Sequence, residues 1–521
     1  MQGHGQGSTQ QVAGSFPTNE PARTPDETVG LDRRQLLKAA AGVAGLLAVG
    51  ATVTGCDMVV DTSDPLTHLA RRTTFGLTGP TLARMRSIGA SAWLDEQCDP
   101  SRIDTSAVDA KVAQLPHVGA TIPELRAVIA AGGEVGSQVR LAALIRQIES
   151  PAQLHERMVE LWSDHLNVPI SDQTLGMLKT IEDRTVIRPG ALGRFADLLV
   201  ASAQSPAMLV YLDNATSKRR APNENYAREL LELHTLGVGN FSEEDVAGTA
   251  RLLTGWTVNP TTGQFTFTVA THDPGRVSMV GWTRPTAGTP LSHGVSFLTH
   301  LARHPATARM VATKVARRFC TDRPSPGLVD SLAAVYTAND TAIVPVLRAL
   351  FAHREFAASG GAKFRRPLDW FTAVARATGT TVMVATDARL SRLGVTAQSL
   401  GQLPFDWPAP NGYPDVEGAW LNAGGLLARW NVAGDLLSGA IGLMVAPVDT
   451  LRQGLTGRRT DDAITELAGR VLHEPLTPAG HSLLVQHSRL AGVTQLSPAQ
   501  SAQLVRTVVP VMLASADFQY R

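Results

Sequence analysis

From Asp64 to the C-terminus, apolar residues recur at three- and four-residue spacing, the period that buries one face of an α-helix. The pattern predicts helices over 66–74, 79–88, 137–148, 154–166, 194–203, 224–236, 243–253, 304–319, 327–338, 343–351, 367–378, 426–443, 460–472, 478–490 and 498–514. Start signals are legible: Ser242 precedes Glu243, Glu244 and Asp245, and Ser497-Pro498 opens the last helix. The fold class that follows is mainly α, one large multi-helical domain with a small β-hairpin excursion near 264–280. In that excursion Phe265, Phe267 and Val269 alternate, 276–280 is the expected partner strand, and 271–275 has turn composition. Pro/Gly-rich stretches at 281–294 and 400–425 interrupt the helices, and the first is either a sub-boundary within 64–521 or a surface excursion.

The first 63 residues read differently. Residues 1–30 are a polar leader; Arg33 and Arg34 then stand ahead of an uncharged, mildly apolar run that ends at Cys56. An arginine pair before a weak apolar stretch is the signature of a twin-arginine signal, so the twin-arginine translocase is the expected export partner. Val53-Thr54-Gly55-Cys56 has lipoprotein-type cleavage spacing. Residues 1–55 are therefore read as signal and leader, Cys56 as the lipidation site and 56–63 as a tether. The expected location is the outer face of the cytoplasmic membrane or the cell envelope.

Composition narrows the function. The net charge is +1, with six Lys and 41 Arg among the basic residues, so no charge footprint for nucleic acid is present. Beyond Cys56 the cysteines are Cys98 and Cys320, which fit no metal spacing and read as buried thiols ahead of a disulfide pair. No phosphate loop, nucleophile elbow or His-Glu-x-x-His motif occurs.

The densest polar cluster begins at Asp213-Asn214 and continues from Asn223 to His234. At about 100° per residue, Asn225, Glu229 and Glu232 share one helix side with Arg228 at its edge, and His234 points elsewhere. Glu229, Glu232, His272 and Asp273 are the candidate catalytic residues, since carboxylates and His-Asp pairs suit general acid/base work. Asp213, Asn214, Asn225 and Arg228 are candidate substrate holders. His165, Glu229, His272 and Asp273 are the candidate ligands should a divalent metal be the cofactor. The bland alternatives are an Arg228–Glu232 helix ion pair, a hydrogen-bonded core histidine at 234, and a core Trp162 with His165 as its polar neighbour. The segment from Pro404 to Asp415 is an aromatic, proline-stiffened loop that either stacks sugar rings or caps a core.

At 66–76, 156–168, 187–214, 223–256, 272–275, 304–324 and 400–420 the sequence resembles the uncharacterised bacterial family catalogued as domain of unknown function 1800. The resemblance implies a large helical domain, usually exported, whose members are often encoded beside a second exported family similar to alkaline phosphatases and sulfatases. That family often has His-Asn-His where this chain has Ser163-Asp164-His165. Two functions remain open: a metal- or carboxylate-dependent hydrolase of an extracellular polymer or glycan, and a non-catalytic envelope protein that supports a phosphatase/sulfatase-like partner.

Overall fold

The computed structural model describes residues 58–59, 64–384 and 388–521, without the side chains of 388–392. Arg33, Arg34 and Cys56 lie outside these residues. The architecture is mainly α-helical, with small two-stranded antiparallel sheets. No helix among the described residues is long and apolar enough to cross a membrane.

The helices begin where side chains replace missing backbone partners. Ser242 and Asp245 form a reciprocal capping box, as do Ser497 and Gln500. Asn223 opens helix Glu224–Glu229 by accepting from the amide of Asn225 at 2.9 Å. Two large apolar cores result among the described residues, with a small third around Phe364 and Tyr520. One gathers Trp162, Phe195, Tyr226, Trp256 and Phe297; the other gathers Leu144, Trp370, Leu436, Leu467 and Val508. Trp282 and Phe297 pack at 5.3 Å inside the first core, whereas residues 285–289 of the 281–294 stretch are exposed.

The β excursion pairs differently from the expectation. Phe265–Phe267 pairs with Trp256–Val258, whereas Ser278–Met279 pairs with Trp282–Thr283. The cause is local. Asn259 caps the amides of Thr261 and Thr262, closing a tight turn before Phe265, and the fully buried Trp256 packs at 5.4 Å on Phe265. Both thiols, Cys98 and Cys320, are free and buried.

Met58 and Val59 are docked on the C-terminal helices. The Met58 amide donates to Asp517 Oδ2 at 2.8 Å, its carbonyl accepts from Thr477, and Val59 bridges to Leu476. The chain is thus held to the folded body two residues after Cys56, before the expected tether ends.

Candidate active site

Helix Glu224–Glu229 passes directly into a π-helical segment, Leu230–Thr235. Thr235 Oγ1 donates to the carbonyl of Leu230 at 2.6 Å, and the Leu236 amide reaches Leu231. Such wide turns recur at functional sites because they re-aim the side chains around them. Here the transition falls between Glu229 and Glu232. Tyr226, Leu230, Leu231 and His234 face the core, leaving the two glutamates half-buried on the outer side. Burial and the charge of Glu232 raise the Glu229 carboxyl above its ordinary value, against the opposing pull of Arg228. Burial and the Glu229 charge push the neighbouring Tyr211 phenol up to about 12.

The predicted substrate holders divide. Asn225 Nδ2 lies 3.4 Å from Asp213 Oδ2, and both residues are exposed beside this pair. Asp213 holds a left-handed φ of 61°, a conformation that Asp tolerates better than most residues. Asn214 is buried and donates to the carbonyls of Leu253 and Trp256, so it fastens the fold. Arg228 grips Glu243 with both terminal nitrogens and lies 3.7 Å from Glu224; the alternative ion pair with Glu232 is not formed.

His272 and Asp273 belong to a structural turn. His272, only 2 % exposed, shares a hydrogen bond with the Thr254 carbonyl through Nδ1 at 2.8 Å and packs on Phe267. Burial lowers its pKa. Asp273 accepts from Arg251 Nε at 2.7 Å and from the Gly275 amide, and its own amide donates to Thr254 Oγ1. The bond to Arg251 is the main reason its carboxyl stays below the usual range. Ring and carboxylate together pin the chain where the expected hairpin would have turned.

His165 goes to the opposite, inner side. Its ring lies 6.1 Å from His234, packs on Trp162 and Phe195, and shares a hydrogen bond with the His234 carbonyl through Nε2 at 3.1 Å. Burial holds His165 well below the usual value and His234 down to about 3, with Lys314 adding to both. Two neutral imidazoles therefore share the core. Of the metal set His165, Glu229, His272 and Asp273, the first is thus packed in the core and the last two are bonded within the turn. Among the described residues no group of three or more His, Cys, Asp or Glu is arranged to hold a metal ion.

The aromatic loop arrives from far along the chain. Asn167 donates to the carbonyls of Trp407 and Ala409 at 2.8 and 2.7 Å. Tyr211 donates to the Pro408 carbonyl. Trp407, Tyr413 and Trp420 form a row of partly exposed rings spaced 5.1 and 5.9 Å apart. Phe405 holds a φ of 59°, unusual for a bulky side chain, and Gly412 (φ 68°) lies so close to Asp164 that a Cβ would sit 1.8 Å from its carbonyl oxygen. The loop is thus held in one shape.

Beneath it lies a buried charge network that sequence reasoning missed. Asp369 pairs with Arg157 and lies 3.4 Å from both Arg366 and Arg521; Asp164 bridges Arg318 and Arg366; Asp415 bridges Arg318 and Lys363. Burial opposes ionisation of Asp369 and Asp415, but the surrounding cations overcome it and keep both well below the carboxylate range. Burial raises the Glu160 carboxyl, with Asp369 adding and Arg366 and Arg318 opposing. Above the network a cavity of about 30 Å³ is lined by Gln147, Glu160 and Ser163, among others. That volume suits an ordered water. The overlooked signal was on the helices: Pro367–Thr378 buries every residue and Gln153–His165 nearly every one, so their charges have no solvated face.

No curated protein and no solved structure matches the chain. A family model described as protein of unknown function (DUF1800) matches residues 68–520, and the chain belongs to that family.

Proposed function

We propose that this protein is an exported, lipid-anchored hydrolase of an extracellular glycan, with Glu229 and Glu232 as its acid/base pair. Glu229 carries the reading. It is a half-buried carboxylate whose pKa is raised by burial and by a second carboxylate, and among the described residues it enters no ion pair. A carboxyl poised in this way suits a general acid. The partly exposed rings of the 404–420 segment, tied to the same neighbourhood through Tyr211, add a surface on which sugar rings stack.

In the proposed reaction Glu229 gives its proton to the leaving glycosidic oxygen as the bond to the anomeric carbon breaks. Glu232 takes a proton from the water whose oxygen bonds to that carbon. Asp213 and Asn225 hold hydroxyl groups at the rim. Export and anchoring rest on Arg33, Arg34 and Cys56 in the sequence. The test is release of reducing ends from a panel of neutral and anionic extracellular polysaccharides. Glu229→Gln and Glu232→Gln should each abolish release while the fold is retained. Release that continues in both variants, or none from any polymer with the unaltered protein, overturns the reading.

A further inference from the structure

One turn beyond Glu232, the chain enters the wall of an open groove of about 560 Å³. Leu236 and Asn240 line it together with Arg309, Met310, Thr313 and Arg317 of helix Pro305–Phe319. Arg323, exposed in the following loop, also lines it.

The charges in this groove are unequal. Three arginines face one carboxylate, Asp322, and that carboxylate is committed elsewhere: Oδ1 accepts from Lys363 at 2.6 Å and Oδ2 from the Glu417 amide at 2.6 Å. Arg317 spends only Nε, on the Asp322 carbonyl at 3.2 Å. Arg323 enters no ion pair among the described residues, and Arg309 is held by Asp330 on the outer edge. Two guanidinium groups therefore face the groove with donors to spare, the geometry that grips carboxylate or sulfate groups in pairs. A flat, open groove with a polar and partly apolar floor fits an extended chain better than a small enclosed ligand.

We propose that this groove binds an anionic glycan segment, carboxylated or sulfated, through Arg317 and Arg323. The assignment rests on the glycan-hydrolase reading, since Leu236 in the groove wall follows Glu232 by four residues, and it narrows that reading to acidic polymers.

The experiment measures binding apart from turnover. The full mature chain carrying Glu229→Gln is titrated with fluorescent oligogalacturonate, with a sulfated oligosaccharide of equal length, and with a neutral glucan oligomer. Binding of one or both anionic probes should weaken about tenfold or more in Arg323→Gln and further in Arg317→Gln/Arg323→Gln, and should weaken with added salt. The stronger of the two probes identifies the anionic group. Arg323 is exposed, so the single variant folds even if the double variant does not. Equal affinity of the variants, equal binding of the neutral oligomer, or failure of both anionic probes to bind overturns the proposal. Poly-glutamate that binds as tightly and with the same arginine dependence overturns the glycan assignment in favour of an acidic peptide. Charge-selective binding without hydrolysis would sink the hydrolase and leave the groove. Hydrolysis of a neutral polymer that is indifferent to both arginines would do the reverse.

Discussion

The hydroxyl of Tyr211 donates to the carbonyl of Pro408 at 2.7 Å, across nearly two hundred residues of chain, and so ties the aromatic loop to a side chain that feels the charge of Glu229. The same loop is seated at its other end by Gly412 against Asp164. Gly412→Ala meets both a left-handed φ and a backbone clash, so it should cost about 3 kcal/mol or more, or lift the loop. Tryptophan fluorescence and a denaturant midpoint read both effects. A variant with unchanged midpoint and spectrum would show that the loop is not seated there.

Glu229 has a sign that can be checked. Its folded pKa lies above the ordinary 4.5, so the protonated form is favoured by folding. Its contribution to stability is full below about 4.5 and is lost as pH rises through the folded value. Glu229→Gln should therefore be as stable as the unaltered protein at pH 7, or slightly more so. Thermal midpoints at pH 4 and pH 7 test this; a midpoint lowered at pH 7 would mean the carboxylate makes a stabilising contact.

His234 works in the opposite sense. Its pKa falls from 6.5 to about 3 on folding, so unfolded chains bind the extra proton between those values. Stability is full above about 6.5 and declines by about 1.4 kcal/mol per pH unit as pH falls through the window. His165 is lowered as well and adds to the slope. His234→Leu should flatten the decline between pH 6 and pH 4, read as urea midpoints. An unaltered slope would place the acid sensitivity elsewhere.

Glu156 marks a lower window. Burial opposes its ionisation, but Arg188 and His155 overcome that and bring it down to about 2 from 4.5. Arg188 grips both its oxygens at 3.0 and 2.5 Å. Glu156→Gln should cost about 3 kcal/mol at pH 7, because Arg188 loses its counter-charge in a partly buried site. The difference should shrink as pH falls from about 4.5 toward 2. A loss that does not depend on pH would point to packing.

Cys56→Ala should move the protein from membrane to soluble fractions, by loss of the acyl chains. Changing Arg33 and Arg34 to Lys should leave the precursor in the cytoplasm, because the export receptor reads the guanidinium pair. Unchanged fractionation in either case would assign export or anchoring to another element.

The helical class, the capped starts at Ser242 and Ser497, and the shared outer face of Glu229 and Glu232 were legible in the sequence. Each depends on residues within a few positions of one another, where period and capping act directly. Long-range partners were not legible. Nothing near His272 announces that its ring will bond Thr254, and nothing near Glu232 shows that Arg228 will turn away to Glu243. The charges at Arg157, Glu160, Asp164 and Asp369 look like ordinary surface charges when each helix is read alone. Only tertiary packing buries them, since helix Gln153–His165 belongs to one apolar core and helix Pro367–Thr378 to the other, and their charges meet where the two are pressed together. Ion pairing between residues 212 positions apart is set by that packing, and no local pattern of the chain encodes it.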